Sequence, residues 1–427
     1  MALEKKKIAI AGIGTVGKGL VKILEQFGSE IPNLKVSVIA SRKKIRLPKK
    51  KIFKDTVILN DAKKLIKFED YDILVELIGG DDGIAKEIVI NALKKKKHVV
   101  TANKAMISKY WKDINYISKA NKCSIKYEAA VAGGVPIIKI IDEFLISNKI
   151  SRIYGILNGT SNFILTKMLT TGKNFNEILK EAQKLGYAEA NPTFDIDGID
   201  TAHKLSILSS LSFNVDSELN KIKTEGIRNI NLLDLKFADS LGYKIKLLGI
   251  CEIKGKIIKN YVYPCLVEKD NFIANVDGVY NGVVVESDFC NKSFFQGEGA
   301  GSFPTATSVF SDIKSILDSD VSHLKKLTNN KNIQFSKPEK RFGKYYLRFT
   351  TDDKPGVISG IAKEFKKNNI SMKSMLQEDS KIIKSKDATI VITTHDCEEK
   401  NMIDALVRIN KMNFIKKKTV YFRIENF

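Results

Sequence analysis

KIAIAGIGTVGKG, residues 7–19, sets a short apolar run against three spaced glycines. Ile8 to Ala11 suit a strand buried on both faces. Gly12, Gly14 and Gly17 follow in G-x-G-x-x-G spacing, and Val16 to Phe27 then shows helical periodicity. Each glycine has a physical task. The first makes a tight turn, the second lets backbone approach a pyrophosphate, and the third permits close helix–strand packing beside a phosphate-facing helix N-terminus. Small glycine turns are common by themselves. Strand–turn–helix placement at the start of an alternating series makes this one a dinucleotide site, with Gly12, Ile13, Gly14, Thr15, Val16 and Gly17 as its contacts.

The alternation continues through residue 134. Strands are expected at 7–11, 36–40, 73–78, 98–101 and 123–128, and helices at 16–27, 61–67, 83–96 and 110–121. That rhythm predicts a parallel, doubly wound sheet whose ligands lie beyond the carboxyl ends of the strands. ELIGG (Glu76–Gly80), TANK (Thr101–Lys104) and EAAVAGGVP (Glu128–Pro136) stand at such ends, so Gly79, Thr101 and Lys104 belong to the cofactor rim. The strand Val36–Ala40 is followed by Ser41, Arg42, Lys43 and Lys44, not by the acid that grips the ribose hydroxyls of NAD. The missing acid favours NADP(H) over NAD(H).

Beyond Val135 the pattern changes. A helix near 137–146, a strand at 151–157, helices from Asn158, at 175–185 and at 199–211, and β runs at 245–252, 257–267 and 282–287 predict a second α/β unit with a mixed sheet. QGEGAGSFPTATSV (296–309) leads into a helix to about residue 318. Residues 324–343 are polar and Lys/Asn-rich, as a linker is. Residues 344–427 show strand, helix, strand, strand, helix, strand, a ferredoxin-like βαββαβ unit with a tight Asp353-Lys354-Pro355-Gly356 turn.

Gly186 to Lys204, GYAEANPTFDIDGIDTAHK, is the other informative stretch. Glu189, Asp195, Asp197 and Asp200 crowd a loop that runs into an apolar helix. Asp200 and Lys204 are four apart on that helix and share a face. A lysine held by a carboxylate at a helix mouth has a pKa adjustable by burial and neighbouring charge, as a proton carrier requires. His203 is the rival acid–base group, because histidine titrates near neutrality. It lies about 100° around the helix from Lys204, so the two are not expected to face one substrate. Asp197 reads as a solvated turn residue.

Composition narrows the classes. With 427 residues, 43% hydrophobic and 28% charged, the chain suits two or three globular domains. The net charge of +22 comes overwhelmingly from lysine, in runs at Lys49–Lys51, Lys94–Lys97 and Lys416–Lys418. Specific nucleic-acid modules call for arginine and interleaved aromatics, so a solvated lysine-rich surface is the reading. No apolar run approaches the length of a membrane span, and Lys5 to Lys7 pass straight into the first strand without a signal-peptide apolar region. Cys123, Cys251, Cys265, Cys290 and Cys397 are scattered and odd in number. Reduced thiols in a cytoplasm are expected, not a disulfide frame or a zinc site.

GIGTVG, ELIGG, TANK, YEAAVAGGVPII, ILNGTSNFIL, GYAEANPTFDIDGIDTAHKLSIL, GEGAGSFPTATSV and DKPGVISGIA together resemble homoserine dehydrogenase of the long bacterial type with a C-terminal ACT domain, over essentially the full length. The resemblance implies reversible reduction of aspartate-4-semialdehyde to homoserine. It implies a Rossmann-like domain at 1–134 completed by about 302–322, where Gly301 joins the cofactor site. A substrate and dimerisation domain would span 135–303, a linker 324–343 and an ACT domain 344–427. Lys204 takes the place of proton donor and acceptor, and Asp200 that of its orienting partner. Lys104 reaches cofactor and substrate, while Gly186, Glu189, Asp195 and Asp200 hold the substrate. Glu128, Val131, Gly133 and Val135 match a monovalent-cation loop, an oxygen set suited to Na+. Without the resemblance that loop reads as a glycine turn entering a helix. Feedback by threonine through the ACT domain and a homodimer or homotetramer are also implied.

Two rivals stay open at this level. A different NADP-dependent oxidoreductase, such as a semialdehyde dehydrogenase, needs a nucleophilic cysteine, and none of the five sits in a reactive-looking motif. A non-catalytic, cofactor-sensing regulator would not need Glu189, Asp200 and Lys204.

Overall fold

The computed structural model describes residues 6–32, 34–216, 219–318, 334–336, 340–378 and 387–427. The apolar run at the start forms β1 (Lys6–Ala11), buried from Ile8 onward. It is followed by α1 (Thr15–Phe27), β2 (Leu34–Ala40), β3 (Val57–Leu59), β4 (Ile73–Glu76), α2 (Ile84–Lys94), β5 (His98–Thr101), α3 (Lys104–Lys109), α4 (Trp111–Ala120) and β6 (Ile125–Lys126). All pairs in this sheet are parallel, in the order β3-β2-β1-β4-β5-β6. The chain leaves β1 towards β2 on one side and returns as β4 on the other, which opens a crevice beyond their carboxyl ends. This is the Rossmann-like sheet expected from the alternation. Two details differ. β3 escaped notice because it is a short edge strand with an exposed face. β6 pairs only at Ile125 and Lys126, since the chain turns into a 3-10 turn at Glu128–Ala130.

The central unit comprises α5 (Ile137–Lys139), β7 (Ile150–Ile156), α6 (Gly159–Thr171), α7 (Phe175–Lys184), α8 (Thr193–Ile196), α9 (Ile199–Phe213), β8 (Lys223–Thr224), α10 (Leu232–Ser240), β9 (Tyr243–Lys254), β10 (Ile257–Glu268), β11 (Tyr280–Ser287) and β12 (Asn291–Glu298). The helix expected near 137–146 is one α turn followed by a π turn at Ile140–Phe144, closed where Leu145 N donates to Ile140 O. Strands run β12-β11-β7-β9-β10 in a mixed sheet. QGE of the glycine-rich segment belongs to β12, and α11 (Ser302–Asp318) returns to lie on α1. Gly19 makes that approach possible, because a Cβ there would sit 2.6 Å from Ser302 O. α9 is buried nearly all round between this sheet and α3, as a helix carrying interior serines and leucines requires.

Where the expected linker is described it does not run free. β13 (Gln334–Phe335) pairs with β10, and Arg341 is buried against Glu425. The rest of it, at 324–333 and 337–339, lies outside the described residues. β14 (Phe342–Asp352), α12 (Val357–Lys367), β15 (Met372–Glu378), β16 (Asp387–Thr394), β17 (Cys397–Glu398), α13 (Glu399–Ile409) and β18 (Ile415–Glu425) then form the βαββαβ unit, with strands ordered β18-β14-β16-β15. β18 also pairs in parallel with β10 from Cys265–Arg423 to Val267–Glu425. The two sheets are therefore one, a union that strand periodicity alone does not announce.

Candidate active site

The glycine turn is built as its spacing demands. Gly12 has φ +100°, and a Cβ there would lie 2.7 Å from Leu77 O. At Gly17 a Cβ would lie 2.3 Å from Gly12 O, so only glycine lets α1 sit on the turn. Gly14 has open space where a Cβ would point. It is also the N-cap of α1 and brings no side-chain cap, so the first N–H groups of the helix remain available to an anion. Ile13, Thr15 and Val16 complete the turn, with Thr15 O accepting from Ser302 Oγ at 2.8 Å. The residues present fit a dinucleotide. At the end of β2, Ser41 N donates to Leu59 O at 2.8 Å, leaving Arg42 and Lys43 exposed at the rim.

Glu76, a residue not singled out from sequence, organises the neighbouring loops. Fully buried at the end of β4, it accepts from Ile78 N at 2.7 Å, Gly79 N at 3.0 Å and Thr101 Oγ1 at 2.5 Å. Asn103 donates to Gly80 O at 2.6 Å and caps α3 through Met106 N at 3.1 Å. ELIGG and TANK are thereby tied together, and Lys104 starts α3 at a fixed place. The signal was present as a buried-strand acid before two glycines.

Asp200 is the hub of the second half. One carboxylate oxygen meets Lys104 Nζ at 3.1 Å; the other accepts from Lys204 Nζ at 2.7 Å and from Asn158 Nδ2 at 2.9 Å. Lys204 also donates to Leu157 O at 2.6 Å. Asn158 joins Asp195 to the group at 2.7 Å and caps α6 through Ser161 N. Its role was legible only as a helix start in NGTSN. Burial alone would raise the Asp200 carboxyl, but Lys204 and Lys104 hold it well below the usual carboxylate range. Burial lowers Lys204, opposed by Asp200 and reinforced by Lys104. Asp195 is raised, chiefly by burial.

The other expected residues fall around this hub. His203 lines an open cleft of about 480 Å³ with Gly79, Gly80, Lys104 and Phe194, while the Lys204 side chain turns inward beneath it. The two do point apart, and it is the histidine that faces the cleft. Ser108 Oγ lies 2.5 Å from its Nδ1, and burial lowers its pKa. Gly186 (φ +76°) and the exposed Glu189 lie on the loop after α7, which Thr160 Oγ1 pins through Tyr187 O at 2.6 Å. Gly301 (φ +129°) precedes α11. Asp197 lies partly exposed on its turn, where it pairs with the exposed Arg228.

In the loop after β6, Glu128 is 1% exposed, and each of its oxygens accepts one backbone N–H, from Ile138 and Lys139, at 2.8 Å. Its own N–H donates to the buried Asp312 at 2.8 Å. Burial pushes Glu128 up to about 7 and Asp312 up to about 6. Two buried carboxylates share Lys139, at 3.6 Å from Asp312, as their near cation. Gly133 has φ +50°, and its carbonyl accepts from Ser308 Oγ; Val131 and Val135 are buried on either side. The shortage of positive charge and the spare carboxylate lone pairs fit a small monovalent ion. Among the described residues no cluster of three or more His, Cys, Asp or Glu side chains has metal-binding geometry.

The thioester rival finds no support. All five cysteines are free, and four are buried, with burial pushing Cys251 to about 12 and Cys397 to about 11. No helix among the described residues is long and apolar enough to cross a membrane.

A glycine cradle at the switch point of a parallel sheet, opening towards a buried carboxylate that carries two lysines, is the build of an NAD(P)-dependent oxidoreductase acting on a CH–OH group. Residues 136–313 match the family model described as homoserine dehydrogenase, and residues 12–128 match that of the homoserine dehydrogenase NAD binding domain. The homoserine dehydrogenase of Neisseria gonorrhoeae is 38% identical, with 99% of each chain covered. The crystal structure of a homoserine dehydrogenase from Thiobacillus denitrificans superposes with a TM-score of 0.89 at 36% identity, covering 99% of both chains. A hyperthermophilic archaeal homoserine dehydrogenase in complex with NADPH matches at a TM-score of 0.64 and 29% identity, over 74% of this chain and 98% of that one. The chain belongs to the homoserine dehydrogenase family.

Proposed function

We propose that the chain reduces L-aspartate-4-semialdehyde to L-homoserine with NADPH, reversibly, as a step towards threonine, methionine and isoleucine. The observation that carries the reading is the Asp200 carboxylate, bridging Lys104 and Lys204 under the cofactor cleft. The cofactor, held by the Gly12–Gly17 turn, Gly79, Thr101, Lys104 and Gly301, supplies the hydride when bound. This chain's residues do the rest. Lys204 gives a proton to the aldehyde oxygen in reduction and takes it from the hydroxyl in oxidation. Asp200 keeps Lys204 aimed and, with Asp195 and the Gly186–Glu189 loop, holds the amino-acid end of the substrate. Glu189, an exposed carboxylate, is suited to the substrate ammonium group.

Ser41, Arg42 and Lys43 support a preference for NADP(H), since cations without an acid suit a 2′-phosphate. Glu128, Val131, Gly133 and Val135 would hold Na+. Threonine would act at the turn Asp353–Gly356, where Asp352, Val357 and Gln377 help to line a cleft of about 300 Å³ in the C-terminal unit. A homodimer or homotetramer acting in the cytoplasm completes the reading. The test is homoserine oxidation, followed as nicotinamide absorbance with NADP+ and NAD+, with and without threonine. Turnover with higher kcat/KM for NADP+ is expected. No homoserine-dependent signal with either cofactor overturns the proposal.

A further inference from the structure

The turn that delivers Asp195 and Asp200 is clamped on its far side. Gly226 packs against it so closely that a Cβ would sit 2.2 Å from Ile196 O and 2.4 Å from Asp197 Cα. Ile227 N donates to Ile196 O at 2.8 Å. Gly198, the N-cap of α9 at φ +79°, would place a Cβ 3.1 Å from Thr224 Cγ2. At Gly226 backbone rests on backbone, while Gly198 rests on the short, branched side chains of Thr224 and Val262, and Arg228 bridges to Asp197 and Thr193.

Residues 223–227 are held by strand pairing and by an ion-pair cluster shared with the C-terminal unit. β8 pairs with β10, and Glu225 N donates to Val262 O at 2.7 Å. The Glu225 carboxylate receives both arms of the Arg423 guanidinium, at 2.9 and 3.0 Å. Arg423 comes from β18 and is 1% exposed. Its Nε and Nη2 also reach Glu399 at 3.0 and 2.5 Å, and Lys223 closes the ring on Glu399 at 2.8 Å. Paired forks of this kind fix orientation as well as distance.

We propose that Glu225, gripped by Arg423, is a positioning residue for Asp200 and Lys204, so that one guanidinium of the C-terminal βαββαβ unit sets the geometry of the catalytic turn. This rests on the reading of Asp200 and Lys204 given above. The route is short: Arg423 to Glu225, Gly226 and Ile227 to Ile196–Gly198, then the first turn of α9. A catalytic pair moved by about 1 Å loses up to about a hundredfold in rate.

The test uses the full-length chain with Glu225→Gln, which keeps shape and removes charge. Arg423→Lys, which keeps charge and removes the fork, serves as the second variant should the first fold poorly. Kinetics, NADPH affinity by fluorescence, and amide hydrogen exchange are compared with the parent. The expected result is a fall in kcat of about tenfold or more, unchanged NADPH affinity, and faster exchange confined to residues 196–204, with β1 amides unaffected. Unchanged exchange at 196–204 overturns the proposal, as does a loss of protection spread equally over β1. A parent that fails to oxidise homoserine removes the functional reading instead, and the exchange comparison still decides the positioning role.

Discussion

Lys104 and Lys204 hold opposite oxygens of one carboxylate, that of Asp200, at 3.1 and 2.7 Å. The two lysines reach it from different units of the chain, α3 of the parallel sheet and α9 of the mixed sheet. Asp200 is thus the point where the parallel-sheet unit and the mixed-sheet unit are registered against each other. Lys204 is the buried partner, also tied to Leu157 O, while a third of the Lys104 side chain is exposed towards the cleft.

Lys204→Ala should therefore separate chemistry from binding. Loss of a general acid–base group costs about 10²–10⁴ in kcat, whereas the glycine turn is untouched and NADPH affinity should hold. Steady-state rates of homoserine oxidation and a fluorescence titration with NADPH provide the check. Retained turnover would remove lysine from the mechanism.

The pH dependence follows with a definite sign. On the role proposed for Lys204, oxidation needs its neutral form to accept the hydroxyl proton, so the rate rises as pH passes the Lys204 pKa; reduction needs the charged form and falls there. Burial lowers that pKa and Asp200 raises it. Asp200→Asn removes the raising partner, so the ascending limb of kcat for oxidation should move to lower pH. Its position, not its height, is the readout. A limb that stays put or moves to higher pH contradicts the assignment.

The glycines make a paired prediction. Gly17→Ala drives a methyl onto Gly12 O, an overpacking of about 1–3 kcal/mol, and thermal melts should show the loss without any cofactor. Gly14→Ala meets open space, so the melt should be unchanged while the pyrophosphate is obstructed. A loss of NADPH affinity of about tenfold, or about 1.4 kcal/mol, is expected there. Equal melting losses in both variants would mean that Gly14 is not where the phosphates approach.

Much of this was legible in the chain because it rests on local spacing. G-x-G-x-x-G fixes the turn, and four residues between Asp200 and Lys204 fix their shared face. Lys104 was placed by its strand end, but its contact with Asp200 joins two sheets, which periodicity does not report. Glu76 and Asn158 were hidden because their partners are loop N–H groups and distant carboxylates. The two-residue β8 carries no periodic signal at all, and so Glu225 and Arg423 went unremarked. The helix expected across 137–146 is present to Phe144, but its change to a π turn from Ile140 leaves no mark in the apolar spacing.

Glu128 leads to the last prediction, on stability and sodium. Its folded pKa is raised to about 7 and that of Asp312 to about 6, burial being the main cause for both. They lie close enough to titrate as a pair. A carboxylate whose folded pKa exceeds its unfolded value contributes fully below the unfolded pKa, and that contribution is lost as pH rises through the folded one. Stability should therefore decline between about pH 4 and 7, by an amount on the order of a few kcal/mol. A cation bound by Glu128 and the Val131, Gly133 and Val135 carbonyls would supply the missing charge and lower the Glu128 pKa. Thermal melts across that window in sodium chloride should then be flatter than in choline chloride. Glu128→Gln should flatten the choline profile and abolish the difference between the salts. Identical profiles in both salts for the parent would show that the loop selects no sodium, leaving Glu128 as a cap for the residues around Ile138.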